Sequence, residues 1–277
     1  MTTPDAMRRW RHGVSGSVGF VPTMGYLHEG HLALVRRACD ENVQTVVSIF
    51  VNPTQFAPSE DFGHYPRDEV RDLAQLREAR VDAVYLPSAA EMYPPDYQTY
   101  VDVQFVTQRL EGASRPGHFR GVTTVVLKLL NTVSPDRAYF GRKDAQQLRV
   151  IQRMVSDLNL PTEIVPCEIV REPDGLAMSS RNVYLTPEQR AAAPVLHQAL
   201  VEARQRFEAG ERDADRLRFF VSQRISAELS ATIEYVSVAH EPTLQEVNRI
   251  IDRPALLSLV VRFGQTRLLD NIELIPS

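Results

Sequence analysis

From Val18 to about Arg171, short apolar and β-branched runs alternate with segments of helical periodicity. Val18–Val21 and Thr45–Val51 are apolar almost throughout, a pattern typical of strands buried on both faces. Between them, Gly30–Glu41 carries apolar residues at helical spacing, which predicts a crossover helix. The same reasoning predicts the helices Arg67–Arg80, Gly121–Val133 and Asp144–Leu158, and the strands Val81–Leu86, Tyr97–Val103, Arg137–Phe140 and Thr162–Val170. This order predicts an α/β fold with a Rossmann-like, doubly wound parallel sheet and right-handed crossovers.

The pattern changes after Arg181. Thr186-Pro187-Glu188-Gln189 is a helix start, because threonine caps, proline fits the first turn and glutamine reaches back to the cap. Two helices are predicted, from this start to about Ala209 and from Asp213 to Leu229, followed by the strands Ile233–Ala239, Leu257–Phe263 and Leu268–Leu274. We therefore predict a catalytic nucleotide-binding domain over 1–181 and a smaller α+β lid domain over 182–277.

Composition narrows the classes of function. The chain is 43% apolar and 24% charged with a formal net charge of −4, and its basic residues form no stripe that would predict a nucleic acid partner. It contains no apolar run near the roughly 20 residues that a membrane span needs, and Met1–His12 has no apolar segment of a secretory signal. Cys39 and Cys167 are not spaced as a C-x-x-C pair. A cytoplasmic protein with no membrane partner is expected.

The strongest candidate site lies between the first predicted strand and the first predicted helix. His28 and His31 are three residues apart, so both can face one ligand. Gly25 and Gly30 remove side chains where a phosphate would approach the backbone, and a helix N-terminus attracts phosphate. Capping or surface histidines are the plain alternative. A zinc site is a rival interpretation, but no third ligand follows at metal-site spacing.

Three further runs carry candidate chemistry. Asn52 and Gln55 follow the second strand, at the sheet edge where α/β folds bind ligands. Gly141-Arg142-Lys143-Asp144 precedes a helix, with Gln147 one turn after Lys143, which favours a triphosphate seat. Met178-Ser179-Ser180-Arg181 offers hydroxyl and guanidinium donors for the charge that develops as pyrophosphate leaves. Each run alone also fits an ordinary turn or cap, whereas together they predict an adenylate-forming site.

These runs resemble one enzyme family. P-T-M-G-x-L-H-E-G-H, F-V-N-P-x-Q-F, G-H-F-R-G-V, G-x-K-D-x-Q-Q and D-G-L-A-M-S-S-R-N-x-Y-L stand in the order found in the pantoate–β-alanine ligase family. That family belongs to the nucleotidyltransferase superfamily, which includes class I aminoacyl-tRNA synthetases. The resemblance covers about Val18 to Leu185 closely and the remainder more loosely.

The resemblance implies an activity and a set of site residues. ATP, pantoate and β-alanine would give pantothenate, AMP and pyrophosphate through pantoyl adenylate, with Mg²⁺ accompanying ATP and a homodimer as the assembly. His31, His28, Lys143 and Arg181 would be catalytic. Pantoate would be held by Gln55, which also lies near β-alanine, and by Gln147, with Asn52 beside them. The implied ATP site comprises Met24, Gly25, Tyr26, Leu27, His28, Glu29, Gly30, His31, Gly141, Arg142, Lys143, Asp144, Val170, Met178, Ser179, Ser180 and Arg181.

Two departures and three alternatives accompany this resemblance. Arg142 stands where the family commonly has glutamate, and Arg71 replaces an acid in a stretch that is magnesium-associated in some members, which leaves Asp72 and Gln75 as candidate metal ligands. The alternatives are a nucleotidyltransferase with a phosphorylated acceptor, a truncated aminoacyl-tRNA synthetase, and a nucleotide-binding regulatory module without catalysis. The candidate acceptor-binding runs contain fewer basic residues than a phosphorylated acceptor requires, and no basic face favours tRNA.

Overall fold

The computed structural model describes residues 1–58 and 60–276. It divides into two compact units, one of Met1–Arg142 and Gln147–Glu168 and the other of Lys143–Gln146 and Ile169–Ser277. Residues 169–181, expected from the sequence to belong with the first part of the chain, pack in the second unit, where Arg171 forms an ion pair with Asp270. The assignment of separate roles to 1–181 and 182–277 stays a prediction.

A parallel five-stranded sheet forms the centre of the first unit. Its strands are β1 (Val18–Thr23), β2 (Gln44–Ile49), β3 (Ala83–Tyr85), β4 (Arg137–Gly141) and β5 (Glu163–Cys167). The spatial order β3-β2-β1-β4-β5 confirms the predicted Rossmann-like α/β fold. The chain changes direction across the sheet between β1 and β4, and open α/β sheets bind ligands at such a switch point, beyond the carboxyl ends of the strands. The loops after β1 and β4 carry the predicted histidine and lysine runs.

Helices cover this sheet at both faces and supply its crossovers. They are α1 (Pro4–His12), α2 (Glu29–Glu41), α3 (Glu69–Glu78), α4 (Ala89–Met92), α5 (Glu111–Ser114), α6 (His118–Val133) and α7 (Ala145–Asp157). Apolar residues of α2 and α3, including Val35, Ala38 and Leu76, pack with Val21 and Val47 of the strands in one buried cluster. Most predicted elements are confirmed within a few residues of their bounds, and α1, capped by Thr3, was not predicted.

The predicted strand Tyr97–Val103 is wrong. This segment joins no sheet, and side chains of α6 bind the peptide groups of Val101 instead. The amide of Val101 donates to Thr124 Oγ1 at 3.0 Å, and the carbonyl of Val101 accepts from Thr123 Oγ1 at 2.6 Å. Alternating polarity therefore reflects an extended segment lying along a helix rather than a ladder with another strand.

The second unit combines helices with an antiparallel sheet, as predicted. The helices are α8 (Pro187–Ala192), α9 (Val195–Glu208) and α10 (Ala214–Ser226), and the strands are β6 (Ala231–His240), β7 (Gln245–Glu246), β8 (Ala255–Phe263) and β9 (Thr266–Leu274) in the order β7-β6-β8-β9. The single helix predicted up to Ala209 is wrong: it is broken before Val195, since Pro194 has no amide hydrogen to donate and its ring crowds the preceding turn. The unit's core joins α9 and α10 to β8 through residues such as Leu196, Val221 and Leu259.

Across the described residues, every helix is too short or too polar to cross a bilayer.

Candidate active site

The loop after β1 has an unusual backbone that only particular residues can adopt. Gly25 and Tyr26 both have positive φ, +80° and +51°. A Cβ atom on Gly25 would lie 2.9 Å from Ile49 Cγ2 and 3.0 Å from Asp72 Oδ2, so the glycine is required both by conformation and by space. This turn ends β1 and places His28 at the start of α2.

Helix α3 holds this loop in place. The two carboxylate oxygens of Asp72 accept the backbone amides of Tyr26 and Leu27, each at 2.7 Å, and Asp72 is 1% exposed. Its neighbour Arg71 donates to the Leu27 carbonyl at 2.6 Å and lies 5.0 Å from the Tyr26 ring centroid. Three peptide groups before His28 are thus fixed by two adjacent side chains of one helix.

The same contacts bear on the predicted metal ligands. Both oxygens of Asp72 bind backbone amides, and its burial leaves no space for the water molecules that Mg²⁺ normally retains. Gln75 offers one buried oxygen, and the described part of the chain contains no group of three or more histidine, cysteine or acidic side chains able to hold a metal ion. These residues do not fit a protein-held magnesium ion. The structure gives Asp72 a role in ordering the loop instead.

We expect Asp72→Asn to loosen the loop selectively. An asparagine accepts at one oxygen only and turns its NH2 group toward the second backbone amide, so one charge-assisted bond is replaced by a repulsive contact. The free energy of unfolding should fall by about 2–3 kcal/mol, the usual cost of losing a buried bond to a charged group. Hydrogen exchange at Tyr26 and Leu27 should accelerate.

Asp68→Asn is the matched control for this change. Asp68 lies on the same helix and accepts the Arg71 amide at its N-terminus, where asparagine caps as well as aspartate. Urea denaturation and exchange mass spectrometry should find this variant close to the wild type. Equal exchange at Tyr26 and Leu27 in both variants would contradict the role assigned to Asp72.

His28 and His31 form a reciprocal cap at the N-terminus of α2. His28 Nδ1 accepts the Gly30 amide at 3.1 Å, and His31 Nδ1 lies 3.4 Å from the His28 amide that donates to it. The rings are tilted by 34°, with centroids 4.0 Å apart. Since each Nδ1 accepts, this bonding assigns the proton of each neutral imidazole to Nε2. The two rings therefore have a pair of N–H donors beside a helix N-terminus, where the helix dipole already favours an anion.

Asn52 and Gln55 lie beside this loop. Asn52 is 1% exposed, and its Nδ2 donates to Gln55 Oε1 at 3.0 Å and to the Gly121 carbonyl at 3.2 Å. Gln55 Nε2 lies 3.3 Å from Met24 Sδ, which joins the second predicted run to the first. The structure thus brings together Met24, Asn52 and Gln55, and it gives the buried Asn52 the task of orienting Gln55.

A buried polar cluster supports the backbone of Gln55, and reasoning from the sequence assigned it no role. His118 Nδ1 lies 2.8 Å from the Gln55 carbonyl, which also accepts from Arg115 Nη2 at 3.2 Å. Arg115 in turn binds both carboxylate oxygens of Glu60, at 2.6 and 2.7 Å. Gly121 allows this packing, because a Cβ there would lie 2.3 Å from the Thr54 carbonyl oxygen. The run G-H-F-R-G-V could have indicated this cluster from the sequence, since it contains both His118 and Gly121.

This cluster predicts a dependence of stability on pH. Burial, with the Arg115 charge adding to it, lowers the pKa of His118 from 6.5 to about 4. Between these values the unfolded chain binds a proton that the folded chain does not, so the free energy of unfolding falls as the pH is lowered. The loss from this group should reach about 3 kcal/mol between pH 7.5 and pH 4.

Urea denaturation of the wild type and of His118→Asn over this range measures the effect. Asparagine can still donate to the Gln55 carbonyl, but it does not titrate. The decrease in stability should therefore be smaller in the variant by about that amount, and identical decreases would contradict the assignment.

The run after β4 is divided between the two units. Gly141 ends the strand, and Arg142–Asp144 forms a 3-10 turn before α7 begins at Ala145. Arg142 Nε lies 3.0 Å from Glu168 Oε1 in the first unit. Lys143, whose Nζ lies 3.6 Å from Asp144 Oδ2, belongs to the second unit, whereas Gln147 belongs to the first.

A tight hairpin in the second unit precedes the serine–arginine run. Met178 N donates to the Val170 carbonyl at 3.0 Å, and Asp174-Gly175 forms the turn, with φ of +94° at Gly175. Ser179 Oγ then accepts the Arg181 amide at 3.2 Å and caps the 3-10 helix Ser180–Tyr184. The hydroxyl of Ser179 still has its own proton to donate. Val170 and Met178–Arg181 are thus held together by one hairpin.

Comparison with known proteins identifies the family. The profile described as Pantoate-beta-alanine ligase matches residues 1–273. This chain belongs to the pantoate–β-alanine ligase family. A pantothenate synthetase of Roseiflexus castenholzii is 59% identical over 271 residues, covering 98% of this chain and 97% of that one.

Solved structures agree with this assignment to the family. A crystal structure of pantothenate synthetase from Thermus thermophilus has a TM-score of 0.94 and 46% identity, covering 100% of this chain and 99% of the other. A pantoate-beta-alanine ligase from Francisella tularensis, complexed with beta-gamma ATP and beta-alanine, has a TM-score of 0.80 and 32% identity over 98% of this chain and 96% of the other. The chain is therefore a ligase with the fold predicted from its sequence.

Proposed function

We propose that the chain catalyses the ATP-dependent condensation of pantoate with β-alanine to pantothenate, the precursor of coenzyme A. The family and the ATP- and β-alanine-bound relative support this activity. The observation that carries it in this chain is the reciprocal cap of His28 and His31, which assigns two Nε2–H donors to the N-terminus of a helix. Such donors suit the phosphates of ATP.

The proposed reaction has two steps. A carboxylate oxygen of pantoate attacks the α-phosphorus of ATP, the bond to the β-phosphate oxygen breaks, and pyrophosphate leaves with the bonding electrons. The neutral amine of β-alanine then attacks the carbonyl carbon of pantoyl adenylate, AMP leaves, and the nitrogen loses a proton. Since the carboxylate is already ionised at neutral pH, the first step requires positioning and charge neutralisation rather than a base.

The site residues follow from this chemistry. His28, His31, Lys143 and Arg181 are the proposed catalytic residues, because each can place a donor or positive charge on the phosphates as negative charge moves to the leaving group. Gln55 and Gln147 are proposed to hold pantoate, with Gln55 also near β-alanine. The proposed ATP-binding residues are Met24–His31, Gly141–Asp144, Val170 and Met178–Arg181.

Three further properties complete the proposal. Mg²⁺ is proposed to enter with the triphosphate as its counterion, because Mg²⁺ in nucleotide sites is bound largely through the substrate phosphates. The chain acts in the cytoplasm on small molecules, without a nucleic acid or membrane partner. It forms a homodimer, which sedimentation of the purified protein can test.

One assay tests the activity directly. The purified protein is incubated with ATP, Mg²⁺ and pantoate, with and without β-alanine, and the products are weighed by mass spectrometry. We expect pyrophosphate release that requires pantoate, and release of AMP together with pantothenate that requires β-alanine. Hydrolysis of ATP independent of pantoate, or transfer of AMP to a phosphorylated acceptor instead, would overturn the proposal.

A further inference from the structure

Strand β9 carries two adjacent buried polar residues that the proposed reaction does not itself require. Asp270 is 2% exposed and Asn271 is 6% exposed. Both lie within the ladder with β8, where Asp270 pairs with Leu259 and Asn271 pairs with Ser258. Burying a carboxylate and an amide is costly unless both are hydrogen-bonded. The hydrogen-bond partners of Asp270 and Asn271 therefore indicate what these side chains hold in place.

Asn271 binds the backbone of the proposed catalytic lysine. Its Nδ2 donates to the Lys143 carbonyl at 2.8 Å. The short segment Lys143–Gln146 belongs to the second unit, although the strand before it and the helical residues after it belong to the first. A side chain of β9 thus fixes the peptide group from which the Lys143 side chain extends.

Asp270 holds the hairpin that leads to the serine–arginine run. Its carboxylate binds Arg171 through two bonds, Nη1 to Oδ2 at 2.6 Å and Nη2 to Oδ1 at 3.0 Å. The same Arg171 Nη1 donates to the Gly175 carbonyl at 3.0 Å, so the guanidinium connects β9 to the turn of the hairpin. Asp270 Oδ1 also accepts the Asn271 amide at 2.8 Å, which ties the two side chains to one point of the strand.

We infer that Asp270 and Asn271 are positioning residues for adenylation. Two adjacent residues of β9 hold both donor groups of the second unit, Lys143 through its own carbonyl and Met178–Arg181 through the hairpin. The antiparallel unit would then support these donor groups within its own fold. This inference rests on the proposed function, because the roles of Lys143 and Arg181 are part of that proposal.

The expected loss of activity follows from how strongly the reaction rate depends on the position of a catalytic donor. A displacement of about 1 Å in a reacting group costs on the order of 100-fold in rate. Loss of one hydrogen bond to the Lys143 carbonyl permits a smaller average displacement than that. We therefore expect Asn271→Ala to lower the turnover of pantoate-dependent pyrophosphate release ~10-fold or more, with the KM for β-alanine changed less than about 3-fold.

The experiment is a double-mutant cycle between Asn271→Ala and Lys143→Ala. If Asn271 acts through the lysine, its substitution should cost ~10-fold with Lys143 present and less than about 2-fold with Lys143 absent, because coupled residues are non-additive. Equal losses in both backgrounds would mean a general structural effect and would overturn the inference. Asn271→Asp, which has the same shape but places a second oxygen against the carbonyl, should lose at least as much activity as the alanine variant.

Ser258→Ala is the matched control. Ser258 faces Asn271 across the ladder, is buried, and its hydroxyl has no hydrogen-bond partner among the described residues. Its removal perturbs the same strand pair and should leave turnover unchanged. A wild type without pantoate-dependent pyrophosphate release would refute the proposed function, whereas an active wild type with an equally active Asn271→Ala variant would refute only the positioning role.

Discussion

Replacing His31 by alanine is expected to lower the rate of pantoate-dependent pyrophosphate release at least ~100-fold. The reason is the loss of the Nε2–H donor of His31, whose Nδ1 accepts the His28 amide, and a positioned donor of this kind contributes about 3 kcal/mol to a transition state. The loss should be in turnover, since the donor is most valuable as charge moves onto the leaving pyrophosphate. Rapid-quench measurement of the first turnover separates this step from aminolysis.

A second substitution at the same position separates catalysis from capping. Asparagine at residue 31 can accept the His28 amide through its side-chain oxygen, but it cannot reach the place of the distal imidazole nitrogen. His31→Asn should therefore unfold at nearly the wild-type urea concentration and still lose the activity that His31→Ala loses. Recovery of activity in the asparagine variant would show that His31 only caps α2. His12→Ala, an exposed histidine of α1, controls for removing an imidazole elsewhere.

Local pattern was sufficient for the elements that form the sheet and for the loops at its carboxyl edge. Val18–Thr23 and Gln44–Ile49 are buried along most of their length, and the apolar residues at most of their positions make this burial visible in the sequence. His28 and Gly25 lie next to one of these strands, so the position of the candidate site followed once the strand was recognised. The family resemblance then supplied the chemistry of the separate runs.

Contacts between residues distant in the chain could not be read in this way. Asp72 was predicted as a candidate metal ligand because of its type and its place in a family stretch, whereas the structure uses both of its oxygens to bind amides more than forty residues earlier. Nothing near Val101 indicates that hydroxyls of α6 complete its hydrogen bonds. Likewise, Asn271 lies 128 residues after Lys143, so no local pattern links the two.

The orientation of the Gln55 amide determines what kind of ligand this residue can bind. Asn52 Oδ1 accepts from Tyr93 OH at 2.9 Å and from Thr54 Oγ1 at 2.9 Å, so its Nδ2 must point to Gln55 Oε1 and the Gly121 carbonyl. With Oε1 engaged and one N–H directed at Met24 Sδ, Gln55 has the second N–H of its NH2 group for a substrate. Such a donor suits an oxygen of pantoate, whether of the carboxylate or of a hydroxyl group.

Gln55→Glu is therefore expected to raise the KM for pantoate ~100-fold or more while leaving the KM for ATP within about 3-fold. The new carboxylate keeps one oxygen on Asn52 and turns the other toward a substrate that is itself anionic. A hydrogen-bond donor is thus replaced by a repulsive charge, and the lost bond to a charged group together with the repulsion amounts to about 3 kcal/mol.

Gln205→Glu is the control, because it adds the same charge at an exposed position of α9 and should bind pantoate normally. Initial rates measured over a range of pantoate concentrations decide the matter: an unchanged KM for pantoate in Gln55→Glu would mean that the amide of Gln55 does not face this substrate.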